Sequence, residues 1–342
     1  MKKCLNLLAA SGLIACAALL SSSCNKQDPV QPTITIECYT AGNEFDANSN
    51  PTPVIYKDAQ QLYKLESGCE VKGVVYIGGD IFACGNNVSN GTVVFWKNGN
   101  IANLAGSALK GTLLDMVGNG TDWYCCGYVL DGYTRSGIIL KNGVEFFRGP
   151  EGTEYTAIDL GASGDCYVTS MTGVGVELLR IDKAGSGVKE IRTITKDEKF
   201  VPTDLYVGLQ DFVVSLNYRT VDGDTAYCWV STFDAPIRLT DKNSQAWSAA
   251  IFNGNFFIGG CIDSSDAKPF AVQWVNTAGE DFSYGCNPEY SCVKLLRNGG
   301  YHLYEAVESK GLVQICANGQ GLFDIICSDN FSVTAWDIVR VK

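Results

Sequence analysis

The sequence predicts an all-β fold made of one unit repeated seven times, and three observations predict it. The first is a period. Seven apolar segments, each closing on a small residue, read ITIECYTAG (34–42), DIFACG (80–85), DWYCCG (122–127), DCYVTS (165–170), DFVVS (211–215), NFFIGG (255–260) and YHLYEA (301–306). Their last residues, Gly42, Gly85, Gly127, Ser170, Ser215, Gly260 and Ala306, are spaced 43, 42, 43, 45, 45 and 46 apart. The second is the pattern within each period, where short apolar runs alternate at strand spacing between turn residues, without helical stripes. The third is that each end of the chain carries what the other lacks. A strand-rich repeat of this length makes one four-stranded sheet, and seven of them form a seven-bladed β-propeller.

Composition agrees. The 342 residues are 46% hydrophobic and 18% charged, which suits a chain with a large buried core and not a disordered one. The net charge is −11 and no basic patch or arm is visible, which excludes nucleic acid as a partner. A single histidine, His302, disfavours His-based triads and multi-His metal sites.

In chain order, residues 1–23 read as a cleaved targeting segment. Lys2 and Lys3 precede an apolar stretch ending at Leu20, and Ser21-Ser22-Ser23 leads into Cys24. The stretch is too short and too sharply ended for a membrane span. A cysteine after small residues resembles a bacterial lipoprotein signal, which implies that Cys24 becomes the lipidated first residue of the mature chain. Leu13-Ile14-Ala15-Cys16 fits the usual letters of that motif too, but cleavage there would leave apolar residues at the new N-terminus. An ordinary secretory signal with an incidental cysteine is the remaining alternative. Residues 24–32 then form a lipid-anchored flexible tether, and 33–342 a single propeller domain.

Fifteen cysteines in an exported chain invite a disulfide reading. Cys38, Cys84, Cys126, Cys166, Cys228 and Cys316 sit inside apolar strand-like runs, where they read as small buried hydrophobes. Cys286 and Cys292, in a turn-rich stretch, make the best local bridge. No CxxC occurs.

Within each repeat, an inner strand A precedes the shared segment B, as in GTLLDMVG (111–118), YTAIDLG (155–161), PTDLYVG (202–208), WSAAIF (247–252) and CVKLLR (292–297). A variable loop leads to strand C, such as GTVVFWKNGN (91–100), SGIILKNGV (136–144) or LVQICANGQ (312–320), and a short outer strand D follows. Asn98-Gly99, Asn142-Gly143 and Asn318-Gly319 are hairpin signals, because both central residues of a type I′ turn need positive φ. The first repeat starts at strand B and lacks strand A. The C-terminus supplies an orphan strand A, SVTAWDIVRV (332–341). The C-terminal strand is therefore expected to pair into the N-terminal blade and close the ring, which removes exposed sheet edges.

The B segments followed by K-N-G, as in DIFACG with FWKNGN and DWYCCG with ILKNG, resemble repeats of uncharacterised β-propeller lipoproteins of gut Bacteroidetes. The resemblance covers nearly the whole mature chain, although RIDKAG, STFDAP and WVNTAG replace the K-N-G turn in repeats four to six. It implies fold and compartment and brings no established activity.

Asp115, Asp159, Asp204 and Asp337 fall at like positions in four inner strands, where their carboxylates point toward the axis. They are expected to coordinate a hard cation such as Ca²⁺, to hydrogen-bond across blades or to bind channel waters. Asp80, Asp122, Asp165 and Asp211 open the B strands, where side-chain bonds to local backbone shape the turns. The B–C loops vary most and offer Phe45, Tyr128, Tyr133, Arg135, Tyr218 and Arg219 as a ligand-binding face. No GxSxG, HExxH or phosphate-binding glycine loop is present. The expected protein is a monomeric, outer-membrane, lipid-anchored module binding a glycan or a surface protein, on the cell surface or the periplasmic side, and without nucleic-acid partners. The alternative is a carboxylate-dependent carbohydrate hydrolase or lyase with its site in the central funnel.

Overall fold

Strands form where the period-two runs stand, and all but the last pair with a neighbour in sequence. The computed structural model describes residues 35–263, 269–276, 283–287, 289–298 and 303–341. Cys24, the tether at 25–32 and His302 lie outside them. The strands build seven four-stranded antiparallel sheets, the seven blades of a propeller. Six blades use consecutive strands, with inner strands at Cys69–Ile77, Gly111–Gly118, Glu154–Leu160, Phe200–Val207, Ser244–Phe252 and Cys292–Asn298. The remaining blade, numbered 1 here, takes its inner strand from the C-terminus: Phe331–Val341 pairs with Thr35–Phe45, followed by Pro51–Lys57 and Gln60–Lys64. The expected ring closure is what the structure has.

The repeated letters have local physical causes. Asn98, Asn142 and Asn318 take φ of 49°, 50° and 49°, and the glycines after them 79°, 77° and 77°, the left-handed pair that a type I′ hairpin turn requires. In blade 2 the Asn98 amide donates to Asp80 (2.7 Å), while its Oδ1 accepts the Ile81 amide N–H (2.9 Å). Lys97 adds an ion pair to Asp80 at 2.7 Å. Blade 3 repeats this clamp with Asn142, Asp122, Trp123 and Lys141. Asp80 and Asp122 therefore shape these hairpins through the Asn and Lys side chains, and not through the local backbone as the sequence suggested. Asp165 does reach backbone, accepting from Lys183 N at 2.9 Å, alongside Arg180 and Lys189.

The hydrophobic core is divided among the blade interfaces. Seven apolar clusters each join residues of two neighbouring blades. The cluster between blades 7 and 1 unites Tyr304, Val313 and Ile315 with Val54, Tyr56 and Phe331, so the ring closes through side chains as well as through a sheet. Cys38, Cys84, Cys126, Cys166, Cys228 and Cys316 are buried in these layers, as expected of small hydrophobes.

Candidate functional site: the axial funnel

Every inner strand of blades 2 to 7 leaves its ladder at one place. The register skips Lys72, Leu114, Thr156, Thr203, Trp247 and Lys294, each a single-residue bulge that follows two or three paired residues. A bulge bends the strand and re-aims the extra side chain. Blade 1 presents Thr334 at the equivalent place. Its hydroxyl donates to Val71 O of blade 2 at 3.0 Å, just as the Thr203 hydroxyl donates to Ala246 O of blade 6 at 2.9 Å. All seven of these residues line one funnel of about 920 Å³ at the axis.

The bulge explains the small residue that closes the B segments. A Cβ on Gly85, Gly127 or Gly260 would lie 1.7, 2.0 or 2.0 Å from the carbonyl oxygen of Glu70, Thr112 or Gln245, two residues before the bulge. In blades 5 and 7 the residue facing this point is Leu216 or Val307, paired with Pro202 or Val293. These stand one position beyond Ser215 and Ala306, which the spacing had aligned with the glycines.

Neighbouring blades fasten the backbone freed by the bulges. Asn217 of blade 5 donates to Ala246 O (3.0 Å) and accepts from Ala246 N (2.7 Å). Asn43 of blade 1 does the same to Val71, at 3.1 and 2.9 Å. Glu308 of blade 7 accepts from Val333 N at 3.0 Å.

The four axial aspartates stand at two levels, not one. Asp115 and Asp204 directly follow their bulges, whereas Asp159, like Asp337, lies two residues further along its strand. All four act across blades. Asp115 accepts from Ile158 N at 2.9 Å, Asp159 from Val207 N at 2.7 Å, Asp204 from Ala249 N at 2.9 Å and Asp337 from Tyr76 N at 2.8 Å. The second oxygens of Asp115, Asp159 and Asp204 accept the amide of the following residue, at 2.7 to 2.8 Å. Of the roles expected for these carboxylates, the geometry displays inter-blade bonding. Among the described residues no three His, Cys, Asp or Glu side chains group as metal ligands. Burial pushes the Asp204 carboxyl well above the usual carboxylate range, and Asp115 and Asp159 add to the shift.

The six loop residues are only partly brought together. Phe45, Arg135 and Arg219 line the funnel. Tyr128 lies beneath Arg135, whose guanidinium sits 4.4 Å from its ring centroid. Tyr133 is fully exposed away from the funnel lining. Tyr218 belongs to an aromatic group with Phe200 and Tyr227, at 4.9 and 6.0 Å. The bulge side chains were missed because a bulge has no residue signature of its own, although the recurring glycine opposite it was a readable sign.

Beside the funnel, Cys292 remains a free thiol and neighbours Cys261 of blade 6. The expected partner Cys286 has its side chain outside the described residues. A hydrogen bond with Cys292 draws the Cys261 thiol down to about 7 against its burial, helped by Trp247 and the Lys294 ammonium.

No protein-family model matches the chain, and no curated protein is detectably similar to it in sequence. Solved structures are similar in shape. The structure described as the Dos1 propeller is 9% identical, with a TM-score of 0.50, over 76% of this chain and 72% of that one. A chain of a nidogen/laminin complex is 6% identical, with a TM-score of 0.47, over 89% of this chain and 98% of that one. Apo AztD from Citrobacter koseri is 10% identical, with a TM-score of 0.40, over 89% and 98%. At these identities the likeness is one of fold, and the fold is the β-propeller.

Proposed function

We propose that this protein is a binding module that takes a glycan or a surface-protein segment into its axial funnel, held at the outer membrane by a lipid on Cys24. One observation carries the reading: six blades direct a bulge side chain each into a single funnel and blade 1 adds Thr334, while Phe45, Arg135 and Arg219 complete the lining. A concave site of this size with a few convergent polar groups is the usual form of a small-ligand site. Hydrolysis is disfavoured by the same geometry. Asp115, Asp159 and Asp204 have both oxygens engaged by backbone amides, and Glu70 and Glu154 are ion-paired to Lys72 and Arg135. The K-N-G repeats and the Ser21-Ser22-Ser23-Cys24 sequence support kinship with the Bacteroidetes propeller lipoproteins, and with it the membrane address. A monomer is the proposed state.

A glycan array and pull-down with the soluble domain from Thr33 onward tests the reading. Binding that survives Tyr133→Ala and is lost in Trp247→Ala is the expected result. Binding lost on changing Tyr133 and kept on changing Trp247 would place the ligand outside the funnel. Metabolic labelling with a clickable fatty acid is expected to disappear in Cys24→Ala. Retention there and loss in Cys16→Ala would move the anchor to the earlier cysteine.

A further inference from the structure

The funnel is lined by four cations: Lys72, Arg135, Arg219 and Lys294. Two of them are neutralised within the protein. Lys72 pairs with Glu70 at 2.8 Å, and Arg135 with Glu154 at 2.5 Å. The other two are not. Among the described residues no carboxylate lies within ion-pair distance of Arg219 or Lys294. The Lys294 ammonium instead stands over the Trp247 ring, 3.9 Å from its centroid. Glu308 acts on Lys294 from beyond ion-pair distance, and its carboxylate is already bonded to Val333 N. The deeper aspartates face backbone amides. Arg219, Trp247 and Lys294 come from blades 5, 6 and 7 in succession, so the two cations without a carboxylate partner stand on one arc of the ring.

The chain as a whole carries a charge of −11, so its general surface repels anions. Two cations without an ion-pair partner among the described residues line the funnel against that background. Guanidinium and ammonium groups left without a protein partner bind carboxylate or sulfate by charge-assisted hydrogen bonds. The lining also includes three threonines, Thr156, Thr203 and Thr334, whose hydroxyls bond to Thr169, Ala246 O and Val71 O and whose oxygens keep a lone pair for a ligand hydroxyl. The volume, about 920 Å³, suits a few sugar units, whereas a folded protein partner needs a broad face of about 800 Å².

We infer that the funnel selects an acidic oligosaccharide, whose carboxylate or sulfate is held by Arg219 and Lys294 beside Trp247. The inference rests on the funnel being the ligand site, as proposed above. The sugar body then lies toward the threonine side, and the aspartates below prevent the anionic group from passing down the channel.

Titration calorimetry on the soluble domain tests this with three probes: a trigalacturonate, a sulfated chondroitin tetrasaccharide and neutral cellotriose. One of the two acidic probes is expected to bind at least about tenfold more tightly than cellotriose, as hydrogen bonds to charged groups allow, and which one identifies carboxylate or sulfate. Arg219→Gln and Lys294→Met should each weaken that probe about tenfold, and added salt should weaken it further. Lys72→Met, which removes a paired cation, should have a much smaller effect. Arg219 is exposed and Lys294→Met keeps an unbranched side chain beside Trp247, so melting curves near wild type will certify the variants as folded. Equal binding of cellotriose and the acidic probes would overturn the inference while leaving a glycan-binding funnel. Acidic binding unchanged in both variants would also overturn it. Failure of all three probes, in a domain that captures a protein and no glycan on the pull-down, would overturn the inference and the glycan arm of the function together.

Discussion

Asp165 and Asp204 are the same side chain with opposite charge habits, and the difference lies in what faces them. Asp165 is 1% exposed and sits between Arg180 (2.6 Å) and Lys189 (3.0 Å). Although burial opposes it, the hydrogen bonds from these cations, Ser163 and Lys183 N hold its carboxyl far below the usual carboxylate value. A carboxylate of that kind stabilises the fold above a pH of about 4 and loses its contribution as pH falls toward the folded-state value. Asp204 runs the other way. Its raised value means that the folded state prefers the neutral acid, so its contribution is present below a pH of about 4 and is lost as pH rises through the folded-state value. The two isosteric variants should therefore diverge in urea unfolding. The deficit of Asp165→Asn, about 3 kcal/mol at neutral pH by the usual cost of breaking a buried pair, should shrink below pH 4. The deficit of Asp204→Asn should shrink as pH rises. Parallel curves for the two variants would show that the surroundings described for these residues do not govern their ionisation. At this scale the sequence was half legible. It identified the axial aspartates as a set, but their two levels depend on where the bulges fall, which the side-chain letters do not state.

Turns and bulges were read from the sequence with unequal success, for a physical reason. The Asn-Gly turns were legible because a type I′ hairpin demands left-handed φ at two successive positions, and few residues tolerate it. Asp80, Lys97 and Asn98 form a clamp of three side chains, so the demand is written three times over and survives as a motif. The bulge is a backbone event that accepts Lys, Leu, Thr or Trp alike, and its trace is the glycine opposite. That trace yields a sharp prediction. Gly127→Ala puts a Cβ 2.0 Å from the Thr112 carbonyl, a clash of backbone against backbone that should cost about 3 kcal/mol or more, at the upper end for overpacking. Ser170 faces the equivalent place in blade 4, paired with Tyr155 before its bulge. The Ser170 hydroxyl has no hydrogen-bond partner among the described residues, so Ser170→Ala should be neutral or slightly stabilising. Thermal unfolding of the two variants measures both, and a well-folded Gly127→Ala protein would contradict the bulge geometry.

For the whole molecule, the C-terminal strand is the closing piece. Residues 331–341 form the inner strand of blade 1 and touch both neighbouring blades. Asp337 and Thr334 bond to blade 2, and Val333 bonds to Glu308 of blade 7. Truncation after Asn330 removes an entire ladder partner and opens the cluster around Tyr56, Tyr304 and Ile315. Each buried polar group left unpaired costs about 1–3 kcal/mol, and several together approach the 5–15 kcal/mol total of a typical domain. The truncated chain should be insoluble or grossly unfolded, and a cooperative melt near the full-length temperature would exclude closure by this strand. This level was legible in full, because a missing first strand and a surplus last one can be counted. The ring of bulges has a further consequence, in how such a chain can change. Six of the seven axial side chains carry no ladder register of their own, and the backbone beside several of them is held by residues of the adjoining blade. Replacing Lys72, Leu114, Trp247 or Lys294 therefore rewrites the funnel wall while leaving the frame alone, whereas the threonines also tie the frame, and four replaceable letters from a twenty-letter alphabet give one scaffold a vocabulary of ligands.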